Sequence, residues 1–417
     1  MAQLTDDCFA FGGPLLSVEA AVALMRERVP VLAGIETVPL LDADGRIAAS
    51  DVTAAIHLPP FDNSAVDGYA VRHTDLHAAG ETVLPLSGRI AAGGSIEGLT
   101  VSGNAARIFT GAPMPVGADT VFMQEDVRVE DHQVVLPSGL KHGANRRFAG
   151  EDVKAGSTII PAGRRLRPQD LALAAAAGST MIAVRRRLRV AVFSTGDELC
   201  EPGAALRPGA IYDSNRIMLV ALLRRLGLAV NDLGLLRDDP ALLKDRLSEA
   251  AAGHDLILTT GGVSTGEEDH VKAAVDAVGR LVVWRLGIKP GRPVAMGLIA
   301  GTPFVGLPGN PVAAYVTLLF VVRPLIARLG GGEYQPPPGI PARAAFDYAK
   351  KAGRREFVRV SLSRATDGSF EAVKYPRDGA GALSSLTGSD GLAQLDEART
   401  RLQQGEIVEV LPHALLW

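Results

Sequence analysis

Between Leu188 and Leu329 the apolar positions follow two alternating periods. LRVAVF (Leu188 to Phe193) and DLILTT (Asp255 to Thr260) are short unbroken apolar runs, the pattern of strands buried on both faces in a parallel sheet. Helical spacing separates such runs. Asp213 or Ser214 caps a helix that continues through Leu226 and is closed by Gly227, and a strand follows from Leu228 to Leu236. A helix is predicted over Ala241 to Ala252 and another over His270 to Val278. A strand starts at Leu281, and an apolar run ends at Gly306-Leu307. Asn310 as N-cap and Pro311 at the first helical position then begin a long apolar helix. Strand–helix alternation over roughly 140 residues predicts a mostly parallel sheet with helices on both faces.

The flanking pattern differs. Ser17 to Arg28 reads as a helix stopped by Pro30, and short β-like runs surround the Asp44-Gly45 turn over residues 31–56. From 58 to 72 the chain is a Pro-, Asp- and Gly-rich loop entering a strand at Tyr69, and from 73 to 149 short β-runs alternate with Gly and Pro. Arg167 to Gly178 is a short helix with Pro168 at its first position. Gly330-Gly331-Gly332 and Pro336-Pro337-Pro338 mark a linker to a final β-like segment. The expected fold is therefore multidomain, α/β plus β: a helix in 1–30, a small linking domain from 31–56 and 147–178, a β-rich inserted domain at 57–146, an α/β domain at 179–330 and a C-terminal β-barrel-like domain at 331–417.

Composition changes this picture little. The 417 residues suit several cores, and a net charge of −3 gives no electrostatic reason to expect nucleic acid. Cys8 and Cys200 lack metal-ligand spacing and argue against a disulfide framework. The first residues carry acids where a signal peptide needs bases, and the apolar run Val312 to Val322 is too short to span a bilayer. A cytoplasmic protein without membrane contact is expected.

Candidate chemistry lies where strands of the parallel sheet end. STGDEL (194–199), TGGVSTGEED (260–269) and GLPGNP (306–311) are rich in small and hydroxyl residues. Gly261 and Gly262 would let a phosphorylated ligand approach backbone N–H groups, with Ser264 and Asn310 as further donors. WRLGIKPGRP (284–293) adds Arg285, Lys289 and Arg292, which suit a polyanion. The acids Asp197, Glu198, Asp238 and Asp269 are candidate Mg²⁺ ligands together with phosphate oxygens, while Glu267 and Glu268 fit a plain helix-start role. Asp62, Asn63, Ser64 and Asp67 cluster in a proline-fixed loop that reads either as a surface turn or as a rigid binding loop. No nucleophile signature, Walker loop or Rossmann fingerprint is present, so the site looks built for positioning and electrostatics.

Eight ordered motifs carry a resemblance: PPFDNSAVDGYAV, IFTGAPMPVGAD, RRFAGEDV, FSTGDEL, IYDSNR, TTGGVSTGEEDHVK, IKPGRP and GLPGNPVAA. Together they resemble the MoeA family of molybdopterin molybdenumtransferases, which includes the E domain of gephyrin. The resemblance covers the chain from about residue 14 onward. It implies insertion of molybdate into adenylyl-molybdopterin with release of AMP and formation of molybdenum cofactor, dependent on Mg²⁺. It also implies a homodimer, a MogA-like α/β domain against which the N-terminal helix packs, and a possible MogA-type adenylyltransferase as partner. By motif position, Asp62, Thr110 and Asp152, with Arg147 nearby, would face the ligand from the β-rich side, and Glu198, Asp238 and Asp269 from the α/β side. Lys289, Arg285 and Arg292 would contact the anion, Pro308 and Pro311 would shape GLPGNP, and Ser384 and Ser385 would lie near the cofactor. The family often has Lys where this chain has Arg285 and Arg292, and GALSSLTGSDGLAQL departs from the family's usual run before its serines. Competing readings are a MogA-like molybdopterin adenylyltransferase and a non-catalytic molybdopterin-binding scaffold.

Overall fold

The computed structural model describes residues 8–10, 15–95, 97, 99–237, 239–261 and 270–416. At its centre is a six-stranded sheet in the order Ala229–Leu236, Arg189–Thr195, Leu256–Thr260, Thr302–Leu307, Pro293–Ile299, Gly279–Arg285. The first four strands are parallel. Alternate residues of the inner strands feed two different cores. Val190, Val192, Leu256 and Leu258 pack with the helices Ser214–Arg225 and Pro311–Leu329, whereas Ala191, Phe193 and Ile257 pack with Pro240–Gly253 and His270–Val278. This two-sided burial is what the unbroken apolar runs encode.

The last two strands correct the expectation of a single apolar run ending at Leu307. Pro293–Ile299 and Thr302–Leu307 are antiparallel partners joined by Ala300 and Gly301, both at positive φ (45° and 83°). Two such residues form a hairpin turn that parallel strands could not use. Gly279–Arg285 is also antiparallel, to Pro293–Ile299.

The long apolar helix runs from Pro311 to Leu329 with a π-helical stretch at Leu318–Val322. Pro324 has no N–H to give to the carbonyl one turn earlier, and local widening relieves the ring's clash with it. By length and composition this helix could cross a membrane, contrary to the shorter run read from sequence, but 78% of it is buried inside the protein. Each large side chain it sequesters stabilises the fold by about 1.5–3 kcal/mol. The helix Val18–Arg28, capped by Ser17 Oγ accepting from Ala20 N–H at 3.1 Å, inserts Val18, Ala21 and Met25 into the same core.

Ile35–Pro39 pairs with Met181–Arg185, and Val52–Thr53 with Thr158–Ile160; with the helix Pro168–Ala176 they enclose a small core of their own. From here the chain leaves and returns side by side, since Leu58 bridges Val153 and their backbones bond at 2.8 Å. Between these points lies a six-stranded sheet in the order Thr120–Met123, Gly68–Val71, Ala105–Ile108, Thr82–Ile90, Gln133–Leu136, Arg128–Glu130.

At the carboxyl end five strands close into a barrel. The order is Arg355–Arg364, Phe370–Lys374, Ile340–Ala344, Ile407–Pro412, Gly391–Leu395, and the last pairs with the first. Ile288–Lys289 from the α/β region adds to Arg355–Arg364 as a parallel strand. Phe320 stacks on Phe357 at 4.3 Å, so the core helix and the barrel share packing.

Candidate functional site

Register brings three loops to one sheet edge. Ser194 lies opposite Thr260 and Thr260 opposite Leu307, so Gly196, Gly261 and Pro308 leave the sheet together. Gly261 has φ +86°, and a Cβ there would lie 2.8 Å from the Thr195 carbonyl oxygen. Only glycine fits both constraints. Asn215, in the first turn of Ser214–Arg225, ties the loops. Its Nδ2 donates to Thr260 Oγ1 at 3.0 Å and to the Gly309 carbonyl at 2.7 Å, while Thr260 Oγ1 donates to the Pro308 carbonyl at 3.3 Å. Buried polar atoms without a partner gather here: Ser194 Oγ, Thr195 Oγ1, Thr259 Oγ1 and Asn215 Oδ1. Such orphans are costly unless a ligand or water meets them. Pro311 occupies the first helical position, while Asn310 caps the helix without a side-chain hydrogen bond.

Glu198 is exposed at this edge, with its carboxylate folded against Gly196, where an added Cβ would meet Oε2 at 2.6 Å. Asp197 lends its carbonyl to Arg207. Gly262, Ser264, Glu267, Glu268, Asp269 and Asp238 lie outside the described residues. Among the described residues no group of three or more His, Cys, Asp or Glu is arranged to hold a metal. Of the four candidate metal ligands, Asp197 and Glu198 are thus the ones whose positions the structure gives.

A second group of candidates assembles on the inserted sheet. The Asp62 carboxylate pairs with Arg146 and accepts the Ala149 N–H at 2.7 Å. Burial acts to raise its pKa, but the Ala149 N–H and the Arg146 guanidinium outweigh it and hold the carboxyl below the usual range. The Thr110 N–H and hydroxyl both donate to Asp67 Oδ1 at 2.8 Å and lower that carboxyl's pKa as well. Gly111 N–H to the Ser64 carbonyl (2.8 Å) and Met114 N–H to the Asp62 carbonyl (2.9 Å) zip the two loops together. Arg147 pairs through its backbone with Asn63, and Asp152 N–H donates to the Leu58 carbonyl. The side chains of Arg147 and Asp152 are exposed and make no hydrogen bond among the described residues. Thr110 therefore acts through Asp67, a link that sequence reading missed, whereas Arg147 and Asp152 are free for a ligand. No hydrogen bond or ion pair among the described residues joins this group to the sheet-edge loops.

The basic segment is partly committed. Lys289 Nζ donates to Glu356 Oε2 at 3.0 Å, and Glu356 also receives Tyr348 OH at 2.8 Å and Arg354 Nε at 2.7 Å. Burial would raise the Glu356 pKa, but these donors, led by Lys289, pull it below the ordinary value. Arg285 and Arg292 are exposed beside it. Ser385 is fully buried against the outer face of the barrel, donating to the Ala382 carbonyl (2.6 Å) and accepting from Arg359 Nε (3.1 Å), so its hydroxyl is committed to internal hydrogen bonds. Ser384 is exposed. The Ser384 segment reaches the sheet edge through Val312 N–H, which donates to the Ala380 carbonyl at 3.0 Å.

Sequence reading also missed Arg216. It is 4% exposed and meets Asp213 (2.7 Å), Asp232 (2.6 Å) and Glu201 (2.5 Å); burial acts against its charge, but Asp213 and Asp232 outweigh that and push its pKa up. This network anchors the helix that presents Asn215. The only sequence signal for either residue was the IYDSNR motif.

Three family models match the chain: MoeA N-terminal region (domain I and II) at residues 16–178, "probable molybdopterin binding domain" at 191–328, and MoeA C-terminal region (domain IV) at 341–413. A molybdopterin molybdenumtransferase of Haemophilus influenzae is 39% identical over 400 residues, covering 95% of this chain and 98% of the relative. One of Nostoc is 35% identical over 409 residues, with 95% and 94% covered. The crystal structure of a molybdopterin biosynthesis MoeA protein from Pyrococcus horikoshii superposes with a TM-score of 0.82 at 29% identity, covering 96% of this chain and all of that one.

Proposed function

The chain belongs to the MoeA family, and on that premise we propose that it transfers molybdenum from molybdate into adenylyl-molybdopterin, releasing AMP and forming molybdenum cofactor. The observation that carries the reading is the sheet edge at Gly261, where a glycine-only backbone and several orphaned buried polar atoms face the same loops. Such an edge binds a phosphorylated ligand through backbone N–H groups and hydroxyls. A match along nearly the whole of full-length molybdenumtransferases favours this activity over a lone adenylyltransferase domain.

In this reading Gly261, Pro308, Asn310 and Pro311 shape the phosphate cradle, and Asn215 holds its two walls in register. The unmapped residues Gly262, Ser264, Asp238 and Asp269 are proposed for the same wall. Glu198 would hold Mg²⁺ together with ligand phosphate oxygens, which suits an ion that takes one or two carboxylates and keeps its other positions for ligand and water. Bound there, Mg²⁺ would neutralise charge on the phosphate as AMP leaves. Asp62, Asp152 and Arg147 would face the ligand from the inserted sheet, with Asp67 and Thr110 keeping that loop in shape. Asp62 is held ionised by the Ala149 N–H and Arg146, so near neutral pH it would act as a fixed negative charge that positions the ligand rather than as a strong base. Arg285 and Arg292 would attract the oxyanion, and Ser384 would lie nearest the ligand among the barrel residues. Two walls that no hydrogen bond or ion pair joins among the described residues fit a cleft completed by a second copy of the chain, hence a homodimer. A cytoplasmic location, with a MogA-type adenylyltransferase supplying the adenylylated substrate, completes the proposal.

Purified protein given adenylyl-molybdopterin should release AMP only when molybdate and Mg²⁺ are both present, and Asp62→Asn or Glu198→Gln should abolish that release while leaving the thermal transition in place. AMP release without molybdate, or consumption of ATP, would overturn the assignment.

A further inference from the structure

A cleft of about 750 Å³ opens away from the candidate site, between the linking unit and the α/β domain. Eight arginines line it, against two carboxylates, Asp44 and Glu333. Four of the arginines are ion-paired with acids: Arg46 with Glu36, Arg164 and Arg167 with a shared Asp170, and Arg186 with Asp255. The other four, Arg165, Arg185, Arg187 and Arg323, have no carboxylate within ion-pair distance among the described residues. Arg165 donates to the Leu226 carbonyl at 3.2 Å, Arg185 to Ala33 at 3.3 Å and Arg187 to Gly227 at 2.9 Å. Arg323 lies over the Tyr334 ring at 6.0 Å.

Three of these charges, Arg165, Arg187 and Arg323, crowd one another. A methyl group at Gly227 would sit 3.4 Å from Arg187 Nη1 and 3.7 Å from Arg165 Nη2, so both guanidinium tips converge there. Arg323 Nη1 and Arg185 Nε are buried without a hydrogen-bond partner. Burial weakens proton binding at Arg165, opposed in part by the Asp44 carboxylate and reinforced by the Arg187 charge; Arg323 likewise feels burial and the Arg165 charge, opposed in part by Tyr334. A guanidinium does not deprotonate in a protein, so the repulsion persists until an anion enters. Planar forks with spare donors match phosphate oxygens, and the cleft has the size of a small-molecule site.

We propose that this cleft binds a small phosphate-bearing polyanion, separate from the molybdopterin site, and that the bound anion ties the linking unit to the α/β domain through Arg165, Arg187 and Arg323. Their chain positions explain the tie. Arg165 belongs to the linking unit, Arg187 lies at the entry to the first strand of the parallel sheet, and Arg323 is on the core helix.

The test is calorimetric titration of the full-length protein with inorganic diphosphate, orthophosphate and AMP at matched ionic strength, alongside thermal unfolding. Saturable binding of at least one of them is expected, with a rise in the thermal midpoint. Arg187→Gln, at an exposed position, should weaken it at least about tenfold, the loss of one charge-assisted hydrogen bond. Asn215→Ala, at the other site, should leave it within about twofold. Of the probes whose binding Arg187→Gln weakens and Asn215→Ala leaves alone, the tightest identifies the ligand type, a phosphate chain or a nucleotide. Absence of saturable binding, equal binding by Arg187→Gln, or loss of binding in Asn215→Ala alone would overturn the proposal.

Discussion

Lys289→Met removes one ammonium and keeps most of its apolar stem. Sequence placed Lys289 on the anion, while the structure shows it on Glu356, a carboxylate with a side chain only 1% exposed. The size of the effect follows from what Glu356 keeps. It loses a donor at 3.0 Å but retains Tyr348 OH at 2.8 Å and Arg354 Nε at 2.7 Å, so no charge is orphaned. A charge-assisted hydrogen bond contributes about 1.5–3 kcal/mol, and the half-exposed lysine is screened by water, which reduces the expected loss to about 1 kcal/mol. Urea unfolding followed by the fluorescence of the fully buried Trp284 reads it directly, because that residue is next to last in the strand leading to Lys289. In a double-mutant cycle with Glu356→Gln the coupling should also be about 1 kcal/mol. The Glu356 pKa is depressed in the fold, so its stabilisation is complete above the unfolded carboxyl value and is lost as pH falls through the folded one. The difference between wild type and Lys289→Met should therefore vanish in acid. An unchanged urea midpoint, no coupling and a loss of AMP release would refute this tethering role and return Lys289 to the ligand.

Two further outcomes follow from buried polar contacts. Asn215→Ala abandons the Thr260 and Gly309 acceptors and should lower stability by about 2 kcal/mol while raising KM for the pterin substrate; an unchanged urea midpoint and KM would remove Asn215 from the site. His413, held between Tyr315 OH (2.8 Å) and Ser389 Oγ (3.1 Å), has its pKa lowered by burial. Its contribution is complete above the ordinary imidazole value of about 6.5 and is lost as pH falls through the folded value, so the thermal midpoint should drop in mild acid for wild type but not for His413→Gln.

Local signals were the legible ones. Asp213 accepts from Arg216 N–H as a cap, Pro311 starts its helix, and the unbroken runs at Val190 and Leu256 became strands buried on both faces. Each depends on neighbours within one turn or one strand. The Ala300-Gly301 hairpin was missed because Ala at positive φ is unusual and the flanking runs are both apolar. The pairing of Lys289 with Glu356 spans 67 residues and depends on barrel closure, which no periodicity encodes. Motif order grouped Asp62, Thr110 and Asp152, and the structure sets all three on the inserted segment and its neck. Motif order did not reveal that Thr110 is bound to Asp67 or that the Ser385 hydroxyl is buried and bound to Ala382 and Arg359.

The neck at Leu58 and Val153 gives the inserted sheet an unusual position with respect to chain statistics. The segment between them is a loop already closed at ladder spacing, so lengthening or shortening a turn at its far end changes the closure entropy only logarithmically. Such changes leave the neck, and the register of everything outside it, where they were. A change at the neck itself tilts the whole sheet and carries Asp62 and Asp67 with it. Tolerance to insertion and sensitivity to substitution are thus separated along one segment, with the distal turns open to drift and two backbone-paired residues setting the aim of an entire wall.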